Sequence, residues 1–426
     1  MPQRSISKCE HTSICLSSSP HAAIAGFRRQ GQRQRLAAVK ADNRGFPRED
    51  KHFLEEDERA FPAPLLLPGD DLAGDPEDPQ SFQEWLDEEH RNPMLTSCGH
   101  GRHQDVRNHE IPTKPPSTKD VQDYLSGFYH GLPVKMMPPS TLRFIPWEEA
   151  KRKPRKKTGP QYLGLQSGDE CVRIRSRTMS NAVYGGQVNL DDLLDVAISI
   201  LPKDAYALLI LVDFDLYEDD EDEFVCGRAY GGSRVAVVSS ARYNPKLDTT
   251  QNVERLHAWP ASHCEKYISA CASTEPSAKR QKRSQVNSRE SQNSTLGLNG
   301  PVKDAVSVYR SLPEVHSSSS LLSALWLGRV CRTASHELGH CFGIAHCVYY
   351  ACSMQGTASI CEDARQPPYL CPVGLAKVLC ATSTSASRRY RALLAFCERP
   401  GNSDTHFFGP FATWMRSRLG QINDST

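Results

Sequence analysis

The stretch "TASHELGHCFGIAHCVYYACSMQG", residues 333–356, places three histidines and three cysteines in one short window. His336 and His340 are four residues apart, so on a helix both imidazoles leave one face and can share one ion. Glu337 lies beside the first, where its carboxylate can reach a water at that ion without entering the coordination shell. Gly343 suits a left-handed turn that stops the helix and lets His346 return as a third nitrogen. Three neutral imidazoles leave zinc an exchangeable position, which a catalytic site requires. Zinc polarises an amide carbonyl and acidifies water. Glu337 can take the proton as water attacks and pass it to the departing amine. The chemistry predicted is zinc-dependent hydrolysis of peptide bonds. An isolated His-Glu-x-x-His is weak evidence, and Gly343 and His346 at this spacing make it specific.

Such a site needs a supporting layer. The run 319–343 reads as the helix that carries it, with Leu321, Leu322, Leu325, Trp326 and Val330 as apolar contacts. Upstream, Asn189 is a helix cap, Asp191 and Asp192 occupy the positive first turn, and Leu190, Leu193, Leu194, Ala197, Ile200 and Leu201 form an apolar stripe ended by Pro202. "AYALLILVDFDLY" at 205–217 is a strand buried on both faces, and "GGSRVAVVSSARY" at 231–243 is another. Helices are also predicted at 119–128, 386–398 and 411–419. The order of helix, buried strand, loop and strand predicts an α/β fold.

The chain has 426 residues, 38% hydrophobic, with 29 prolines, 27 glycines and a mean hydropathy of -0.52, which fits one core with long arms. Residues 1–118 are expected to be a mostly disordered arm with one short helix near 78–90, capped by Ser81. Residues 119–398 form the predicted catalytic domain, interrupted by a flexible polar insertion at 270–304. Residues 399–426 are a tail with a short helix.

A net charge of +1 argues against nucleic-acid or acidic-lipid partners. "YALLILV" is too short to cross a membrane, and the N-terminus lacks a secretory apolar run. The 15 cysteines then read as thiols or metal ligands, and an intracellular, cytoplasmic or nuclear location is expected. The basic run "EEAKRKPRKKTG" at 148–159 reads first as a solvated loop and second as a nuclear-import patch.

The chain resembles the archaemetzincins, zinc metallopeptidases of the metzincin group. "HELGHCFGIAHC" carries their extended motif without a gap through Cys347, and "VYYACSM" then supplies Cys352 and Met354 at the family spacing. The resemblance implies a compact metzincin-like domain in which a mixed sheet packs against an active-site helix and a backing helix. It maps Met354 onto the methionine turn beneath the ion. It also implies a second, structural zinc, with Cys347, Cys352 and Cys371 on three of four thiolate positions.

The fourth position is Gly374, because this chain reads "CPVG" where the family has Cys-x-x-Cys. Cys380 is the first candidate replacement and Cys361 the second; a water ligand or loss of the second ion are the alternatives. The resemblance also makes the strand near Arg234–Ser240 the candidate sheet edge for peptide binding.

Tyr349 and Tyr350 read chiefly as loop braces and secondarily as oxyanion donors. Asp213 and Asp215 read as turn or outer residues, and Cys331 and Cys341 as packing thiols. The expected protein is a monomeric metalloendopeptidase or aminopeptidase-like enzyme acting on peptides or exposed protein segments. The alternative is a zinc-stabilised protein-interaction module with little turnover.

Overall fold

A computed structural model of the chain describes residues 9–42, 45–70, 77–88, 97–101, 115–138, 141–147, 161–179, 184, 186–273, 299–313 and 318–423. Two five-stranded sheets form its centre. The first has the order Val134–Met136, Ser97–Gly101, Ala205–Val212, Val235–Ser239, Gly227–Tyr230; all neighbours are parallel except the last pair. The second has the order Arg143–Pro146, Gln161–Ser167, Glu170–Arg177, Gln187–Asn189, Asp215–Tyr217, antiparallel until its final parallel pair.

The strand Ala205–Val212 is buried throughout, and its alternation explains why. Ala207, Leu209 and Leu211 face one core, while Leu208, Ile210 and Val212 face another. The predicted long strand breaks after Val212; Asp215–Tyr217 crosses into the second sheet.

The helix Leu190–Ile200 starts as its sequence dictates, with the Asn189 side chain accepting from the Asp192 N–H. Its Leu190, Leu193, Leu194 and Ala197 join the second core. On the opposite face of the first sheet lies the long helix Ser319–Cys341, whose Val330, Cys331, Ala334 and Leu338 are buried with Val121, Tyr124, Leu125 and Phe128 of the helix Thr118–Phe128. The sheet is thus a wall with a helix on each side, a mixed α/β architecture.

The N-terminal residues correct the expectation of a mostly disordered arm. Short helices run Pro20–Ile24, Gln32–Ala38 and Arg48–Leu54, and Phe53, Ala60, Phe61, Phe82 and Trp85 belong to the main core. The tail is likewise structural: the helix Phe408–Asn423 buries Trp414 and Met415. In the expected insertion, Glu265–Ser273 and Pro301–Ser311 are helices at its two ends, and 274–298 lies outside the described residues, as does the basic run 148–159.

Candidate metal centre

The helix Ser319–Cys341 closes with a left-handed turn. Gly343 has φ +67, its N–H donates to the His340 carbonyl at 2.7 Å, and the Ile344 N–H reaches back to Gly339 O at 3.0 Å. This is a glycine-dependent helix stop, and it turns the chain so that His346 comes back over the last helical turn. The ring centroids of His336, His340 and His346 lie 4.7, 5.2 and 4.8 Å apart. One ligand atom from each falls within 4.8 Å of the other two.

The outer hydrogen bonds fix the protons. His336 Nδ1 lies 2.7 Å from the Ser353 carbonyl, and His340 Nδ1 lies 2.8 Å from the Ile344 carbonyl. A carbonyl only accepts, so each Nδ1 must donate. Burial, together with the neighbouring histidines, holds His336 well below its usual pKa and brings His340 to about 4. Both rings are therefore neutral near pH 7, with bare Nε2 lone pairs. Those two atoms face each other at 3.0 Å. Two lone pairs at that separation repel unless a cation joins them. About 3.3 Å is the edge of a tetrahedron centred ~2.0 Å from each nitrogen, the zinc–imidazole distance. The residues fit zinc.

His346 Nδ1 is held by Glu77 Oε1 at 2.5 Å. Sequence reasoning missed Glu77, which lies in the segment read as disordered; only contact in the folded chain brings it here. The same segment supplies Gln80, whose Oε1 accepts from the Ala345 N–H at 3.0 Å, and Trp85, whose indole donates to Phe342 O at 2.9 Å.

Glu337 is 8% exposed, and burial pushes its carboxyl up to about 8. A Cβ placed on Gly227 would stand 3.4 Å from Glu337 Cγ, so the strand Gly227–Tyr230 runs past this side chain. That strand is the sheet edge. Val235–Ser239, the expected edge, pairs on both sides and is interior. Its uninterrupted burial reflects that place.

Met354 lies under the histidine helix; a Cβ on Gly339 would stand 2.5 Å from its Sδ, and its carbonyl accepts from the Cys347 N–H at 2.7 Å. Cys347, Cys352 and Cys371 form a second buried cluster. The Cys347 and Cys371 sulfurs are 3.5 Å apart, the Cys371 N–H donates to Cys352 Sγ at 3.2 Å, and the Gly374 N–H donates to Cys371 Sγ at 3.4 Å. Hydrogen bonds from Cys352 and Cys371 hold the Cys347 thiol well below the usual range.

Cys380 does not join this cluster. It stands nine positions beyond Cys371 along the helix Pro372–Thr382, which at 1.5 Å per residue is about 13 Å away. Cys361 is also elsewhere, its thiol directed at the Gln251 and Asn252 carbonyls, 3.3 Å from each.

Tyr349 and Tyr350 brace the N-terminal segment. Arg29 Nε donates to the Tyr349 carbonyl at 3.0 Å, and the Tyr350 hydroxyl to Glu56 at 3.2 Å. Asp215 is paired with Arg242 at 2.8 Å, and Asp213 accepts from the Ser240 hydroxyl. Cys331 and Cys341 are buried on the long helix. Among the described residues no helix is long and apolar enough to cross a membrane.

Comparison with known proteins gives a family match over this segment and relatives along most of the chain. Residues 292–379 match the model of peptidase family M54. Archaemetzincin-2 of Macaca fascicularis is 25% identical over 368 residues, covering 85% of this chain and 80% of that protein. The Homo sapiens archaemetzincin-2 is 25% identical over 350 residues, 81% of this chain and 76% of that one. Among solved structures, the archaemetzincin of Methanopyrus kandleri aligns with 66% of this chain and 93% of its own, at 16% identity and a TM-score of 0.30. By its sequence relationships, this chain is homologous to members of the archaemetzincin family.

Proposed function

We propose that this protein is a zinc-dependent peptidase in which His336, His340 and His346 hold the ion and Glu337 is the general base. The observation that carries this reading is the pair of bare Nε2 atoms at 3.0 Å, each with its opposite ring nitrogen committed to a carbonyl. A bound zinc ion supplies Lewis-acid polarisation of the carbonyl and lowers the pKa of water.

The residues of the chain do the rest. An extended peptide adds to the edge strand Gly227–Tyr230 through main-chain hydrogen bonds, which lays its backbone past Glu337. Glu337 accepts the proton of the attacking water and delivers it to the leaving nitrogen. The same carboxylate, ionised before the attack and buried beside the edge strand, serves both transfers. Substrates are peptides or exposed segments of proteins, because an edge strand pairs only with extended backbone.

Cys347, Cys352 and Cys371 are assigned a second, structural ion with Gly374 beside the remaining position. It would pin the residue next to His346, a task that tolerates little displacement.

The test is a diverse peptide library incubated with zinc-loaded wild type and with Glu337→Gln. The variant should keep zinc and fold but lose at least about 100-fold in cleavage rate. Internal or N-terminal cut sites distinguish endopeptidase from aminopeptidase action. Zinc retained by wild type without Glu337-dependent cleavage defeats this reading and leaves a zinc-stabilised interaction module.

A further inference from the structure

A third group of ligand-type side chains lies apart from both clusters described above. Cys9, His11, His257 and Cys264 each offer one atom, all within 4.8 Å of one another. The four come from two pieces of chain remote in sequence, the N-terminal "CEH" and the turn "HAWPASHC".

The group is sealed. His11 is 5% exposed, His257 0% and Cys264 3%, and only Cys9 is partly open. Among the described residues, neither ring nitrogen of His11 nor Nε2 of His257 has a nitrogen or oxygen partner, and the groups these rings face are the thiols of Cys264 and Cys9. Buried imidazole nitrogens are ordinarily satisfied, so three bare ones converging on two sulfurs demand an explanation. His257 is oriented for ligation: its Nδ1 lies 2.8 Å from Glu254 Oε1 and its ring stacks on Tyr267 at 4.1 Å, which turns Nε2 toward the sulfurs. His11 is held with φ +44, a backbone state that non-glycine residues adopt at a cost.

The sulfurs are not bonded to each other. Cys9 and Cys264 are free thiols with Sγ atoms 3.5 Å apart. Around an ion with bonds of ~2.3 Å, tetrahedral thiolates stand about 3.8 Å apart. The Cys347–Cys371 pair has the same 3.5 Å separation. The nearby His263 does not belong to the group: its Nε2 faces the Ala63 carbonyl at 2.9 Å and its Nδ1 the Ser262 hydroxyl at 3.3 Å.

We infer that Cys9, His11, His257 and Cys264 form a closed, four-coordinate structural zinc site that staples the N-terminal segment to the 255–264 turn. Two thiolates and two imidazoles are the donor set of structural zinc, and a full protein shell leaves no position for substrate. The backbone around the site already runs as a staple. The Cys15 N–H donates to His263 O at 2.8 Å, the Glu265 N–H to Ser13 O at 3.1 Å, and Ile14 bridges Cys264. An ion there closes a loop of about 250 residues, which restricts the unfolded chain more than the folded one. The inference does not depend on the peptidase reading.

Full-length protein purified without chelator provides the test. Metal analysis of wild type and of Cys9→Ser/His11→Ala should differ by one zinc equivalent per chain, with the other equivalents unchanged. His11→Cys keeps four ligands, so after cobalt replacement it should retain the metal and gain thiolate charge-transfer absorption. If the double variant does not fold, alkylation of wild type decides: Cys9 and Cys264 should resist labelling until a chelator is added. Equal zinc in wild type and a folded double variant, a chelator-independent labelling rate, or a Cys9–Cys264 disulfide in the purified protein overturns the site.

Discussion

Glu77 Oε1 and His346 Nδ1 stand 2.5 Å apart, which joins a residue of the N-terminal segment to the ring that closes the histidine cluster. His336 and His340 are oriented by carbonyls on their own or a neighbouring turn, and His346 alone is oriented by a carboxylate. A carboxylate partner fixes the tautomer and makes the ring a stronger donor. Space for this contact depends on Gly356, where a Cβ would come within 2.9 Å of His346 Nδ1 and 3.2 Å of Glu77 Oε1.

Removing that carboxylate should weaken the site without unfolding the protein. Glu77→Ala is expected to lower zinc affinity of the histidine cluster about 10- to 100-fold, the usual effect of losing an outer partner. Competition against a chelator of known affinity measures it. Unchanged affinity in a folded variant would mean that Glu77 is a bystander.

The second cluster permits a gain-of-ligand experiment. A Cβ at Gly374 would lie 3.7 Å from Cys352 Sγ, next to the sulfurs, and 3.2 Å from Leu370 Cδ2. The leucine methyl is the end of a flexible side chain and can give by a few tenths of an ångström. Gly374→Cys should therefore complete a four-thiolate set and tighten metal binding there by more than about tenfold. Cobalt charge-transfer intensity and chelator competition report it. Identical spectra and affinity for wild type and variant would falsify the placement of the cluster.

Contact between Gly339 and Met354 sets a third expectation. A methyl group at 339 would meet Met354 Sδ at 2.5 Å and Cε at 2.8 Å, so the methionine must move. Overpacking of this kind costs about 1–3 kcal/mol. Because the Met354 carbonyl holds the Cys347 N–H, the displacement also reaches His346. Gly339→Ala should lower both stability and metal affinity, and adding Met354→Ala should recover part of the loss as a non-additive term in a double-mutant cycle. Additive losses would show that the two side chains do not meet.

Where sequence reasoning succeeded, chemistry was written in local spacing. Asn189 before a leucine stripe, and His-Glu-x-x-His followed by Gly343 and His346, each specify their structure within one or two turns of chain. It failed where structure depends on remote contacts. Residues 53–67 have no helical or alternating period, yet Phe53 and Phe61 are buried because Tyr390 and Trp414 from the far end of the chain cover them, and Leu67 because it packs with Ile268. Glu77 and the Cys9–Cys264 group are invisible for the same reason. The misplaced sheet edge differs, since "VAVVS" is apolar at its first four positions in a row and that is the mark of an interior strand.

The N-terminal segment therefore carries the last prediction. Phe61 is fully buried, edge-on to Trp414 at 5.6 Å and Tyr369 at 5.7 Å, and its neighbours Ala60 and Pro62 accept hydrogen bonds from the Trp414 indole and the Ala351 N–H. Ala351 adjoins Cys352, so this contact ties the segment to the thiolate cluster as well as to the C-terminal helix. Truncating such a ring costs about 3–5 kcal/mol, whereas a phenylalanine in a disordered arm costs under about 0.5. Phe61→Ala should lower the urea midpoint in proportion to the larger figure, with the slope of the transition preserved. A midpoint within error of wild type would place residues 53–67 outside the folded core and return the segment to the arm that its sequence resembles.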